Sequence, residues 1–180
     1  MINEDIREIL VSEKEIQGLC KKLGEKITED YKDRELVVIG LLKGCLPFMS
    51  DLCKYIDLPI YIDYMDVSSY SGASSTGFIT IKKDITIDVK GRDVIIVDDI
   101  VDTGSTLCSI MKLFESRNVR SISPCVLLDK PEGRKVDIEV KYIGREIPKE
   151  FVIGYGLDFD EHYRNLPFIG VLKEEVYRKK

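Results

Sequence analysis

The 180-residue sequence has no tryptophan, a single histidine and only six prolines, but the patterns it lacks are more telling than the residues. No apolar run reaches the about 18–20 residues that a bilayer crossing requires, so no membrane span is expected. The opening MINEDIREIL is acidic and lacks the basic-then-apolar order of a secretory signal, so a cytoplasmic location is expected. The cysteines (Cys20, Cys45, Cys53, Cys108 and Cys125) are odd in number and show no C-x-x-C spacing. That disfavours a disulfide framework or a zinc site and leaves them as small, reduced core residues. Neither G-x-x-x-x-G-K-[ST] nor a post-strand G-x-G-x-x-G occurs, which removes the P-loop and dinucleotide-fold readings. The lone histidine, His162, is read as a surface residue and not as a catalyst.

What is present describes an ordinary globular chain, 44% hydrophobic and 33% charged. Its length allows one domain with a substantial core, and with no repeat, linker or low-complexity tail, residues 1–180 are expected to form it. The formal charge of -5 argues against a nucleic-acid backbone as the main ligand. A local phosphate site stays open, because backbone N–H groups and a few placed cations hold an anion whatever the total charge.

Periodicity supplies the fold class. Ser12 to Glu15 reads as a capping box, followed by Ile16, Leu19, Cys20, Leu23, Ile27 and Tyr31 at helical spacing. ELVVIGLL (35–42) is a continuous apolar run of strand length, as in a strand buried on both faces. A helix is expected from Pro47 to about Ile56, then a strand over 60–70 that dissolves into the Gly/Ser-rich stretch 69–77, a candidate lid. The stretch 78–88 reads as a flanking hairpin, and 92–117 as strand, turn and helix. Further strands are expected within 121–130, 140–147, 151–156 and 168–172. Strands alternating with helices imply an α/β fold: a mostly parallel central sheet with helices on both faces.

The chemistry concentrates in VIIVDDIVDTGST (94–106), where an apolar strand runs into Asp98, Asp99 and then Asp102-Thr103-Gly104-Ser105-Thr106. Ligands of open α/β sheets bind beyond the carboxyl ends of the strands. Gly104 permits a tight turn, the hydroxyls of Thr103, Ser105 and Thr106 are donors, and the following helix start offers N–H groups to an anion. Carboxylates beside a phosphate cradle make sense when the ligand also carries a diol, whose hydroxyls Asp98 and Asp99 would accept. A divalent cation would offset the remaining charge.

These thirteen residues resemble the phosphoribosyl pyrophosphate motif of type I phosphoribosyltransferases: four apolar residues, two acids, two apolar residues, then D-T/S-G-x-T. The resemblance covers nearly the whole chain and is closest to the hypoxanthine-guanine branch of the family. It implies a small hood above the main sheet, a flexible catalytic loop at Ser69-Tyr70, and a pyrophosphate site at Lys43, Gly44 and Arg164. In the family the peptide preceding that lysine is often cis. Lys130 in LLDKP matches the lysine aimed at the exocyclic oxygen of a 6-oxopurine, Phe151 the ring that stacks on the base, and Val152 the backbone that reads its edge. Asp158 would serve the purine and metal side, with Asp98 and Asp99 as further candidates for a Mg²⁺ ion, and Asp129 would support the site from nearby. One departure is Ser105, where some relatives carry lysine, so that phosphate binding rests on amides and hydroxyls.

The reaction implied is displacement of pyrophosphate from the anomeric carbon of phosphoribosyl pyrophosphate by a purine nitrogen, with Asp102 as general base. The resemblance implies small-molecule partners only and a homodimer or homotetramer. Two rivals remain: a phosphoribosyltransferase for xanthine or a pyrimidine, and a regulator that uses this fold to sense phosphoribosyl pyrophosphate while binding nucleic acid.

Overall fold

The computed structural model describes residues 2–69 and 79–178. Its main sheet has six strands in the order β4 (Ile79–Lys83), β3 (Ile60–Ser69), β2 (Leu36–Leu42), β5 (Asp93–Val101), β6 (Ser121–Asp129) and β7 (Tyr142–Glu146). The last five are mutually parallel, and β4 returns antiparallel to β3 at the edge.

The uninterrupted apolar runs of β2, β5 and β6 are explained by burial of both sheet faces. Leu36, Val38, Ile95, Val97, Cys125 and Leu127 point to the face covered by α1 (Glu13–Asp30) and α2 (Leu46–Cys53). Val37, Ile39, Val94, Ile96 and Val126 point to the opposite face, where Leu107, Ile110 and Phe114 of α3 (Ser105–Ser116) cover them. The capping box forms as expected: Ser12 Oγ accepts from Glu15 N at 3.3 Å and Glu15 Oε2 from Ser12 N at 2.8 Å. Such a cap contributes about 1 kcal/mol to its helix.

A second, antiparallel sheet forms the hood, with β1 (Ile6–Val11), β9 (Ile169–Leu172) and β8 (Val152–Ile153) in that order. It is followed by the one-turn helix α4 (Glu174–Tyr177).

Several boundaries differ from the sequence reading. The helix expected to reach Ile56 ends at Cys53, and Lys54, Tyr55 and Ile56 continue with tighter i→i−3 hydrogen bonds. β4 stops at Lys83 because the Asp63 carboxylate takes the N–H groups of Thr86 and Ile87, at 2.6 and 3.3 Å, out of strand pairing. The strand expected over 151–156 shrinks to Val152–Ile153, since Gly154, Tyr155 and Gly156 all have positive φ. No α-helix separates β6 from β7, only a short turn at Pro131–Gly133. Ser69 ends β3, paired with Ile79, whereas Tyr70 of the expected catalytic loop lies outside the described residues. All five cysteines are free, and no helix among the described residues is long and apolar enough to cross a membrane.

Candidate active site

The parallel strands β2, β5, β6 and β7 deliver their carboxyl ends to one edge of the main sheet, and the sequence-predicted residues gather there. The chain leaves β5 at Val101 and turns through Asp102 and Thr103 into Gly104, whose φ of 79° is in the left-handed region that glycine tolerates. That turn aims α3 back along the sheet. Gly104 has no side chain with which to cap the helix that Ser105 and Thr106 begin. Thr103 Oγ1 accepts from Ser105 N at 3.3 Å, and Lys135 N donates to Thr103 O at 3.0 Å, fixing the turn from both sides. The turn thus sits at the positive end of a helix dipole, where an anion is favoured.

The acids of β5 divide by environment. Asp93, at the amino end, is fully buried yet satisfied by Ser121 Oγ at 2.7 Å and Arg120 at 3.3 Å, so it is a structural carboxylate. Asp98 and Asp99, at the carboxyl end, have no such neutralising pair. Burial and the adjacent Asp99 charge push the Asp98 carboxyl well above the usual range. Burial also raises Asp99, opposed by the Ile100 N–H and the Arg164 charge. Two half-buried neighbouring carboxyls, both raised by burial and Asp98 also by the charge of Asp99, are suited to a ligand bringing hydroxyl donors or positive charge.

Asp102 and Lys130 meet, with Nζ 3.3 Å from Oδ2, although 28 residues separate them. Parallel pairing of β5 with β6 makes this possible, and Lys130 N donates to Val101 O at 2.9 Å where the strands end. Arg134 ties the corner together: it donates to the Asp102 carbonyl at 3.0 Å and pairs with the buried Asp129 carboxylate. Asp129 O in turn accepts from Ile147 N at 2.8 Å, which anchors the chain leaving β7.

A cationic cluster lies beyond β2. The Leu42–Lys43 peptide is cis, Gly44 packs directly on the Asp99 carboxylate, and the Gly44 carbonyl abuts Gly156. Arg164 Nη1 donates to Gly156 O at 2.7 Å, and Nη2 pairs with Asp158 at 2.8 Å and Glu161 at 3.5 Å. Glu161 also takes Lys43 Nζ at 2.9 Å, so one carboxylate bridges both expected pyrophosphate cations. Arg164 Nε is buried without a hydrogen-bond partner among the described residues, a donor that lacks its acceptor. Asp158 is engaged by Arg164 and by the Glu161 N–H at 2.9 Å.

Phe151 precedes β8, with its ring partly open, and Val152 begins the strand, pairing with Val171. His162 is exposed, as expected.

Residues 7–160 match the phosphoribosyl transferase domain. The chain belongs to the phosphoribosyltransferase family. A hypoxanthine-guanine phosphoribosyltransferase of Staphylococcus epidermidis is 55% identical over 179 residues, covering 99% of this chain and all of the relative. The crystal structure of a hypoxanthine phosphoribosyltransferase from Staphylococcus aureus superposes with a TM-score of 0.95 at 53% identity, covering 98% of this chain and 96% of the other. A hypoxanthine-guanine phosphoribosyltransferase from Bacillus anthracis gives 0.90 at 41% identity, covering 93% and 99%. This phosphoribosyltransferase has a type I fold, as its sequence led one to expect.

Sequence reasoning about this phosphoribosyltransferase missed two charged residues at the site. Arg134 carried a signal in retrospect, because a basic residue four positions after LLDK falls where the chain turns back over the β5 loop. Glu161 carried none, since its bridging position depends on two consecutive left-handed residues, Asp160 and Glu161, that no local motif announces. Among the described residues no cluster of three or more His, Cys, Asp or Glu side chains forms a ready-made metal cage.

Proposed function

We propose that this phosphoribosyltransferase acts in purine salvage, transferring the phosphoribosyl group of phosphoribosyl pyrophosphate to hypoxanthine or guanine, with IMP or GMP and pyrophosphate as products. The observation that carries the reading is the Lys130–Asp102 pair, 3.3 Å apart, at the lip of the phosphate cradle. A 6-oxopurine presents its exocyclic oxygen and N7 side by side on one edge. An ammonium donor beside a carboxylate acceptor complements that edge when N7 carries a proton, and it rejects adenine, whose amino group cannot accept from Lys130. The relatives named above support the same base preference.

The roles follow. The turn Asp102-Thr103-Gly104-Ser105-Thr106 holds the monophosphate, Asp98 and Asp99 face the ribose hydroxyls, and Lys43, Gly44 and Arg164 receive pyrophosphate. Phe151 stacks on the base and the Val152 backbone reads its edge. Asp102 takes the proton from the purine ring as the anomeric carbon changes partners, while Arg164 and Lys43 stabilise charge on the leaving group.

Magnesium fits the donor set. The ion commonly binds one or two carboxylates plus substrate phosphates and is seldom caged by protein alone, and Asp98 and Asp99 form such a pair, whose ionised form a bound cation would favour against the burial that raises both. Asp98 and Asp99 would hold it, whereas Asp158, the third expected ligand, pairs with Arg164 and forms no three-carboxylate cluster with them among the described residues. When bound it supplies charge neutralisation to the diphosphate. The setting is cytoplasmic and the assembly a homodimer or homotetramer.

A panel of hypoxanthine, guanine, xanthine, adenine and uracil with phosphoribosyl pyrophosphate and Mg²⁺ tests the proposal. Nucleotide is expected from hypoxanthine and guanine, and turnover of uracil or adenine alone would refute it. RNA retention in a gel-shift assay, without turnover, would favour the regulatory rival.

The bridge from Glu161 makes a separate expectation. Glu161 contacts both Lys43 and Arg164, the cations proposed to receive pyrophosphate, and those contacts hold its carboxyl below the ordinary range, Lys43 contributing most. Glu161→Gln should tighten product inhibition by pyrophosphate roughly two- to five-fold, a modest change because the pair is exposed. Unchanged or weaker inhibition would place pyrophosphate elsewhere.

A further inference from the structure

Phe151 is a ring with two faces, and one of them is already occupied. Tyr177 lies nearly parallel to it, centroids 4.8 Å apart at 18°, and Phe159 meets it edge-on at 5.6 Å and 86°. Phe151 is still 36% exposed, so part of it remains open to a ligand.

Neither the strand nor the sequence motif holds that ring in place. Phe151 lies just before a strand of two residues, and its carbonyl accepts from Leu172 N at 2.9 Å. A half-open phenylalanine on so short a strand has rotamer freedom that a stacking base would have to remove on binding. The aromatic neighbours remove it beforehand.

Tyr177 is itself anchored. Lys173, which caps α4, donates its N–H to Asp5 O at 2.9 Å and its Nζ to Glu4 O at 2.6 Å. Val176, Tyr177 and Phe159 pack on the hood cluster of Ile153, Leu166 and Leu172. The stack therefore connects the carboxyl-terminal turn to the base-binding ring through a core that exists before any ligand arrives.

We propose that Tyr177 is a positioning residue for the purine, forming the back of a three-ring stack of Tyr177, Phe151 and base. The inference rests on the reading of Phe151 as the base-stacking residue and extends it to the last helix. Tyr177 touches neither substrate; it sets the plane against which the base lies, and the flat ring matters more than the hydroxyl.

Steady-state kinetics of the full-length Tyr177→Leu, Tyr177→Phe and Phe151→Ala variants provide the test. Leucine keeps apolar bulk but removes the plane. Tyr177→Leu should raise the KM for hypoxanthine roughly three- to ten-fold, as loss of an aromatic pair does, without a matching rise for phosphoribosyl pyrophosphate. Tyr177→Phe should restore it to within about two-fold, since the stack needs only the ring. An unchanged hypoxanthine KM in Tyr177→Leu, or equal rises for both substrates, would overturn the proposal. A fall would do so as well, because it would mean that Tyr177 occupies the place of the base. Phe151→Ala separates the two levels: if it raises the hypoxanthine KM and Tyr177→Leu does not, only the role of Tyr177 is lost. If neither variant responds, the stacking assignment of Phe151 fails with it.

Discussion

Asp102→Asn is expected to bind phosphoribosyl pyrophosphate about as well as the unaltered enzyme and to lose about 10²–10⁴-fold in kcat, the usual worth of a positioned proton acceptor. Asparagine preserves the shape of the side chain and can still accept from Lys130, which approaches Oδ2 at 3.3 Å. The surrounding anchors do not depend on the carboxylate either, because Arg134 grips the Asp102 main-chain carbonyl and Lys135 N grips Thr103 O. What the amide cannot do is take a proton from the purine ring. Single-turnover kinetics with calorimetric binding of phosphoribosyl pyrophosphate separate the two effects. Turnover near the wild-type rate would remove Asp102 from proton transfer, and a parallel loss of binding would make it a ground-state ligand of the phosphate turn.

That expectation was legible from the sequence because its ingredients are contiguous. β5, the turn and α3 occupy one stretch, where a buried run, three acids and a glycine fix strand, loop and helix in order. The partner Lys130 was legible only through the family resemblance, since nothing local distinguishes a lysine after a strand from a solvated one. The hood was harder to read for a different reason. β8 is two residues long and β1 joins it only through β9, from the opposite end of the chain. A strand whose neighbours are some 160 residues away leaves little periodic trace of its pairing, as Ile6↔Leu172 illustrates. The same holds for the Arg164–Glu161–Lys43 bridge, which is built from left-handed turns and a long-range ion pair. Contiguous chemistry could be read from the residues themselves; chemistry assembled by hood and sheet together, such as Lys43 with Arg164, was reached only through the family resemblance.

The point where hood and sheet touch is where the largest structural effect is expected. Gly156 has a φ of 100°, and a Cβ added there would overlap the carbonyl oxygen of Gly44, whose own Cα side faces the Asp99 carboxylate. The main chain of Gly156 is pinned on both sides, with its N–H donating to Arg164 O at 3.0 Å and its carbonyl accepting from Arg164 Nη1 at 2.7 Å. Gly156→Ala therefore forces either the Gly44 loop or Arg164 to move, and both belong to the proposed pyrophosphate site. Backbone strain of about 1–2 kcal/mol and an overlap of about 1–3 kcal/mol would lower Tm by roughly 10 °C in a chain of this size. kcat/KM for phosphoribosyl pyrophosphate should fall at least about 100-fold, since displacement of about 1 Å at a positioned leaving group costs that much. Gly91→Ala is the control. Its φ of 70° carries the same strain, but nothing lies within 4 Å of the added Cβ. It should lower Tm by only about 2–6 °C and leave the kinetics alone. Equal losses of activity in the two variants would mean that global destabilisation, and not the Gly44–Gly156 contact, governs the site.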